Sequence, residues 1–205
     1  VGVIGGAVFS LASLVWPAGI AIAMAMIATV LCTGAFHEDG LADSADGIGG
    51  GWSVEDKLRI MKDSAIGTYG ALALILSVLL KFRVLTAIPE QHIPAALIIG
   101  HVLGRWSTLP LLRYGRYIGG GSGNPFVGAT TDGRMFAGTL LAALLVTFVA
   151  PAGAIAALMT AVLLTAASLW YFRRALGGVT GDSLGAANQF IEISMYLVIA
   201  ANLTH

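Results

Sequence analysis

Charge is what this chain has least of. Only 11% of its 205 residues are Asp, Glu, Lys or Arg, against 57% hydrophobic, and the mean hydropathy is +0.86. Soluble domains carry roughly a quarter of their residues as charges, so a soluble fold is excluded and the chain reads as an integral membrane protein. Acidic and basic residues balance at 11 each, which leaves no basic excess to recruit nucleic acid by bulk electrostatics. The single cysteine, Cys32, excludes an intrachain disulfide and leaves the redox compartment open. No methionine and no basic n-region precede the apolar residues at Val1, so the chain reads as truncated rather than signal-bearing. It also lacks an internal repeat and a low-complexity linker, so residues 1–205 are expected to form one membrane domain.

What is present is a series of apolar runs. Val1 to Val15 reads as the tail of a first membrane helix, followed by a turn at Trp16 and Pro17. Ala18 to Phe36 is long enough to cross the hydrocarbon core, which needs about 20 apolar residues. Residues 37–65 are polar and must lie outside the bilayer or in a protein-lined cavity. Within them, Ser53 is placed to cap a short amphipathic helix, with Asp56 at the capping-box position. Further spans are expected at Ile66 to Phe82, Ile93 to Leu112, Met135 to Ala150, Ala152 to Phe172 and Leu184 to Leu203, with a hairpin at Pro151 and a glycine-rich loop over residues 115–134. The fold class is an all-α, polytopic transmembrane bundle of about six to seven helices, the first truncated.

Threading these spans alternately puts loops 37–65, 105–134 and 173–183 on one side. They hold nine of the 11 Lys and Arg residues, leaving Lys81 and Arg83 on the other. The positive-inside rule assigns the first side to the cytoplasm. The same side carries nine of the 11 acids. A site that binds metal through carboxylates and phosphate through Arg and Lys gathers charge in this way, and so does a plain solvated rim.

The densest acidic stretch is FHEDGLADSADGIGGG, Phe36 to Gly51, with Glu38, Asp39, Asp43 and Asp46. If it is helical, Asp39, Asp43 and Asp46 share one face within roughly 60°. Like charges so placed call for a hard divalent cation, Mg²⁺ or Mn²⁺, with Glu38 as a further ligand or a cap. Two such ions would stabilise the attacking and leaving oxygens of an in-line phosphoryl transfer. The alternative is a solvated loop. Gly47 and Gly49 to Gly51 are expected to open the backbone into a loop. His37 is read as a hydrogen-bonding group ahead of a base.

Other residues fit an anion or polar pocket. In MKDSAIGTYG, Met61 to Gly70, Lys62 is a candidate phosphate contact and Asp63 a metal or hydroxyl partner, against an interfacial anchor. Arg105, inside an apolar run, must face a polar interior or snorkel outward, and a substrate anion is the partner we favour. In LGGVTGDSLGAA, Leu176 to Ala187, Asp182 and Ser183 mark a helix start able to favour an anion, with Asp182 alternatively an N-cap. Asn188 and Glu192 are four apart on the last span and are read as one side of a polar pocket.

These stretches resemble a known family, the adenosylcobinamide-GDP ribazoletransferases or cobalamin synthases. The resemblance rests on FHEDGLADSADGIGGG, MKDSAIGTYG, the GRW around Arg105 and GGVTGDSLGAANQFIE, Gly177 to Glu192, in the family's order and spacing over most of the chain. The family's N-terminal portion is absent. The resemblance implies a multi-pass enzyme of the bacterial inner membrane, its site facing the cytoplasm, that joins adenosylcobinamide-GDP to α-ribazole or its 5′-phosphate with release of GMP and with Mg²⁺. It leaves an oligomer open. Asp39, Asp43, Asp46, Asp63 and Asp182 are the expected catalytic residues, Glu38 with Asp39, Asp43 and Asp46 the metal set, and Lys62, Arg105, Asn188 and Glu192 the substrate contacts.

Two rivals remain at this stage. CDP-alcohol phosphotransferases also show membrane-edge aspartates starting with Asp-Gly, but their pattern wants an Ala-Arg pair soon after, and no arginine here precedes Arg59. A cation transporter would use intramembrane acids such as Glu192, usually near the midplane of paired repeats.

Overall fold

The computed structural model describes residues 1–119 and 130–203. Residues 120–129 of the expected glycine-rich loop lie outside it. Among the described residues the chain is helical throughout, and extended pairing is confined to one parallel bridge between Tyr117 and Val179. In chain order the helices are α1 (Gly2–Ala12), α2 (Ala18–Thr33), α3 (Phe36–Gly50), α4 (Val54–Ile60), α5 (Thr68–Ala87), α6 (Ile93–Tyr114), α7 (Asp132–Val149), α8 (Ala154–Leu176) and α9 (Gly181–Leu203). Five of them, α5 to α9, are long and apolar enough to cross a membrane, with Glu90–His92 leading into α6 as a 3₁₀ turn. The chain is a multi-pass membrane helical bundle.

The expected single span from Ala18 to Phe36 is corrected. At 16 residues α2 is about 24 Å long, and it stops at Gly34 and Ala35, both left-handed, with φ of 62° and 58°. The amides of these two residues close the end on the carbonyls of Leu31 and Val30, in the manner of a left-handed helix cap. The chain then turns by 84° into α3. Taken together α2 and α3 are long and apolar enough to form one broken span, and α3 brings four acids in 15 residues to it. With 11 residues, α1 is shorter than a span.

The glycines behind the acidic cluster do not open a loop: α3 runs helical to Gly50. Packing is the reason. A Cβ on Gly47 would lie 2.3 Å from Cγ of Met61, and one on Gly51 2.6 Å from the amide of Lys57. The missing side chains let α4 close onto α3, and that tertiary contact outweighs glycine's weak helix propensity. Ser53 caps α4 as expected, its Oγ accepting the Asp56 N–H at 3.0 Å and donating to the Asp56 carboxylate at 2.9 Å. The α7–α8 hairpin turns over residues 150–153, around Pro151.

The core is built around α9, which packs chiefly on α6 and α3. One apolar cluster gathers Phe9, Ile22, Leu85, Leu97 and Tyr196. A second gathers Leu41, Met61, Leu111, Leu176 and Leu184, and a third Ile99, Leu103, Val146, Ile191 and Met195. The lipid-facing helices keep their large apolar side chains exposed, Leu140, Leu144 and Phe148 on α7 among them. That is the expected inversion for a protein whose solvent is hydrocarbon.

Candidate active site

The site forms where α3 meets the start of α9. Glycines make the approach possible: a Cβ on Gly40 would sit 2.7 Å from the Asp182 carbonyl oxygen, and one on Gly185 3.3 Å from the Cα of Gly40. Thr180, not Asp182, caps α9. Its Oγ1 accepts the Ser183 N–H at 3.1 Å, while Ser183 Oγ accepts the Thr180 N–H at 2.8 Å and donates back to the Thr180 carbonyl. This reciprocal box satisfies the helix start without a carboxylate. Asp182 is thereby left to face α3.

Three carboxylates come together there. Burial, then the charges of Asp39, Asp182 and Asp46, push the Asp43 carboxyl up from 3.8 to about 6. Asp43 is half-buried, and Asp39 stands exposed on the next turn of the same face. The pair interacts because residues four apart are neighbours on a helix.

Asp46, expected in the same cluster, has a different partner. Its Oδ2 accepts the Gly67 N–H at 2.7 Å and its Oδ1 the Gly70 N–H at 2.8 Å. These are orphan amides at the start of α5, and a carboxylate there is favoured by the helix dipole as well. Gly67 and Gly70 are needed for the approach, since a Cβ on either would lie 2.5 Å or 2.3 Å from a carboxylate oxygen of Asp46. Asp46 thus ties α3 to α5. The one-face spacing is present, but its last member is occupied by backbone.

Glu38 also points away from the acidic face. Its Oε1 accepts from Gln189 Nε2 at 3.1 Å and lies 3.9 Å from Lys81 Nζ. Lys81, assigned by the threading to the opposite membrane side, is 7% exposed and sits inside the bundle, 2.9 Å from Glu192 Oε1. Glu192 is 3% exposed, accepts the Tyr196 hydroxyl at 3.0 Å and has His101 Nδ1 at 3.5 Å from its second oxygen. It is therefore an internal counter-charge to Lys81. Isolated charges this deep are too costly to keep, whereas paired and hydrogen-bonded ones are tolerated.

Arg105 is half-buried, its Nη1 3.1 Å from His101 Nδ1 and 3.2 Å from the His101 carbonyl. It faces the polar interior instead of snorkelling to lipid. Asn188 is 1% exposed and packs against Gly104, with neither side-chain amide atom satisfied by a described protein group. Lys62 and Asp63 are exposed ahead of α5, and Asp63 Oδ1 accepts the Ala65 N–H in a local turn.

Sequence reasoning missed Lys81 and His101. A lysine 14 residues into an apolar helix is a signal in itself, because such a charge needs a partner inside the bundle. Among the described residues, no three His, Cys, Asp or Glu side chains are already arranged around one ion. The donors that remain, Asp39, Asp43 and Asp182, are hard oxygens that repel one another. That chemistry suits a hard divalent cation.

Comparison with known proteins gives the following. A model of the cobalamin-5-phosphate synthase family matches residues 1–200. The chain is 43% identical over 207 residues to the adenosylcobinamide-GDP ribazoletransferase of Shewanella frigidimarina, covering 98% of this chain and 79% of that one. It is 41% identical over 189 residues to the enzyme of the same name from Shewanella woodyi (89% and 74% covered), and 43% over 209 residues to that from Shewanella halifaxensis (97% and 79%). No solved structure matches.

Proposed function

The chain belongs to the cobalamin-5-phosphate synthase family, and from that premise we propose how its residues carry out adenosylcobinamide-GDP ribazoletransferase chemistry. The activity makes it a transferase of cobalamin biosynthesis. The reading as a CDP-alcohol phosphotransferase is not favoured. The pairing of Glu192 with Lys81 also removes the feature that suggested ion transport.

In the proposed reaction a ribose hydroxyl of α-ribazole or its 5′-phosphate attacks the phosphorus nearer the cobinamide. A new P–O bond forms, the P–O–P bond breaks, and GMP leaves with the bonding pair while the hydroxyl gives up its proton. Phosphoryl transfer asks little covalent chemistry of the protein, so positioning and charge neutralisation carry most of the effect. Asp39, Asp43 and Asp182 would hold Mg²⁺, which when bound supplies neutralising charge to the pyrophosphate. Asp46 and Glu38 are left out of that set in this reading, because Asp46 is committed to the amides of α5 and Glu38 is held toward Gln189 and Lys81. Arg105 is half-buried beside His101, where its guanidinium can meet a phosphate oxygen. The Asn188 amide, buried without a partner, is free to read a polar group of the substrate.

The bilayer is the bacterial inner membrane in this reading, with the acidic face on the cytoplasmic side, as the bias of Lys and Arg favours. What supports the proposal is the close approach of α3 to the start of α9 at Gly40 and Asp182, which brings Asp39, Asp43 and Asp182 within reach of one another's charge. The test is transfer from adenosylcobinamide-GDP to ribazole or ribazole 5′-phosphate in washed membranes, with Mg²⁺ titrated and CDP-diacylglycerol as control donor. Asp39→Asn is expected to lose about 100-fold or more in rate, a few kcal/mol of transition-state stabilisation. Full activity in that variant would remove the acidic face from the mechanism.

A further inference from the structure

The buried charges at the α3–α5–α9 junction belong to no part of the reaction, yet they lie one residue from it. Glu38 and Asp39 are sequence neighbours on α3, so whatever fixes the rotation of α3 about its axis also fixes where Asp39 and Asp43 stand. Glu38 is fixed from two sides, by Gln189 of α9 and by Lys81 of α5. Lys81 is held in turn by Glu192, four residues from Asn188 on α9.

The hydrogen bonds at this junction are incomplete in an informative way. Glu38 Oε2 and Gln189 Oε1 are both buried without a protein partner, and both are acceptors. Gln189 is 2% exposed. Beside them lies a cavity of about 20 Å³ that is mostly apolar, Met26, Val78 and Leu97 among its walls, with Glu38, Lys81 and Gln189 supplying polar groups. A space of that size holds one water. A water there would have both orphan oxygens to donate to and an N–H of Lys81 to accept from.

We propose that Lys81 is a positioning residue for the transfer: with one buried water it ties Glu38 on α3 to Gln189 and Glu192 on α9, and so holds Asp39 and Asp43 opposite Asp182. The inference rests on the reading of those three carboxylates as the cation-holding face. Lys81 itself touches neither substrate nor metal. Its removal leaves Glu38 and Glu192 as like charges facing each other, and α3 rotates away from α9 to separate them.

The test uses the full chain purified in detergent, with Mn²⁺ as the probe, its binding to substrate-free protein read by electron paramagnetic resonance, and transfer kinetics measured in parallel. Lys81→Met is expected to lose about tenfold in Mn²⁺ affinity and about tenfold in kcat, with KM for adenosylcobinamide-GDP within about twofold. Lys81→Arg, which keeps the charge, should recover most of both. A merely structural lysine would lower thermal stability without moving the Mn²⁺ affinity of the folded protein. Should Lys81→Met not fold, Lys81→Met/Glu192→Gln removes the repulsion between Glu38 and Glu192 and leaves Glu38 held by Gln189 alone, so Mn²⁺ affinity below wild type is again expected. Wild-type Mn²⁺ affinity and kcat in either folded variant overturn the proposal. Asp39→Asn separates the two ideas: if it transfers normally, the reading of the acidic face fails first, and if it is inactive while Lys81→Met is normal, only the role of Lys81 falls.

Discussion

Asp46 gives the sharpest test of how the acidic stretch divides its labour. If it is a cap and not a ligand, Asp46→Asn and Asp46→Ala should act on stability and leave cation binding in place. The carboxylate accepts two backbone N–H groups at 2.7 and 2.8 Å, one on each oxygen. Asparagine keeps one acceptor and turns its NH₂ toward the other amide. One charge-assisted bond is lost and one buried donor left unpaired, about 2 kcal/mol in all. Alanine loses both, for about 3 to 4 kcal/mol by the same reckoning, above the ordinary range for a cap because Gly70 is buried. For a chain of this size each kcal/mol lowers the melting midpoint by about 2 to 4 °C. Thermal melts in detergent should therefore fall by about 4 to 8 °C for asparagine and about twice that for alanine. Gly70→Ala, whose Cβ would lie 2.3 Å from Asp46 Oδ2, makes the same lesion from the other side. Mn²⁺ binding by folded Asp46→Asn should stay within about twofold of wild type. An asparagine variant that melts with the wild type yet has lost Mn²⁺ binding would refute the assignment.

Two further outcomes follow from the same geometry. Gly40→Ala puts a Cβ 2.7 Å from the Asp182 carbonyl oxygen, a backbone atom that cannot swing aside, so α9 must retreat from α3. Transfer activity should fall about tenfold or more with the protein still folded, and kinetics beside a melt will show whether it does. For Asp43 the sign runs against the usual carboxylate: its folded pKa, about 6, lies above the unfolded 3.8, so the folded protein holds a proton that the unfolded chain has released. Stability linked to this group is present below about pH 4 and is lost as pH rises through about 6. With chelator, the wild-type melting midpoint should drop across that window more than that of Asp43→Asn, and equal slopes would contradict the crowding of the three acids.

Much of this was legible in the sequence. Apolar run lengths gave the bundle and the α7–α8 hairpin, and Ser53 with Asp56 marked the start of α4. The spacing of Asp39 and Asp43 placed them on one helical face, and the glycines near Asp182 marked a helix start. The misreadings share a cause, which is that spacing reports the direction of a side chain and not its partner. Nothing local says that the amides of Gly67 and Gly70, 21 and 24 residues on, would come to Asp46. The end of α2 was missed because Gly34 and Ala35 break the helix by adopting left-handed geometry inside an uncharged run, where hydropathy sees no change.

The same long-range partners explain how the fold tolerates so much negative charge in one short helix. Four carboxylates on α3 and one at the start of α9 repel as a group. The structure disperses that repulsion by giving each surplus acid its own donor, Asp46 the start of α5 and Glu38 the Gln189 amide with Lys81 beside it. Both tethers run inward, toward α5 and α9, and leave Asp39 and Asp43 facing the start of α9. The carboxylates left over, Asp39, Asp43 and Asp182, have no ion pair among the described residues, and the raised pKa of Asp43 is the cost of keeping them so. A fold that neutralises its structural acids and leaves these three crowded has built a place that gains stability when a cation arrives. On this argument Lys81 and the α5 amides belong to the same device as the three carboxylates proposed to hold the cation, because they decide which acids remain available.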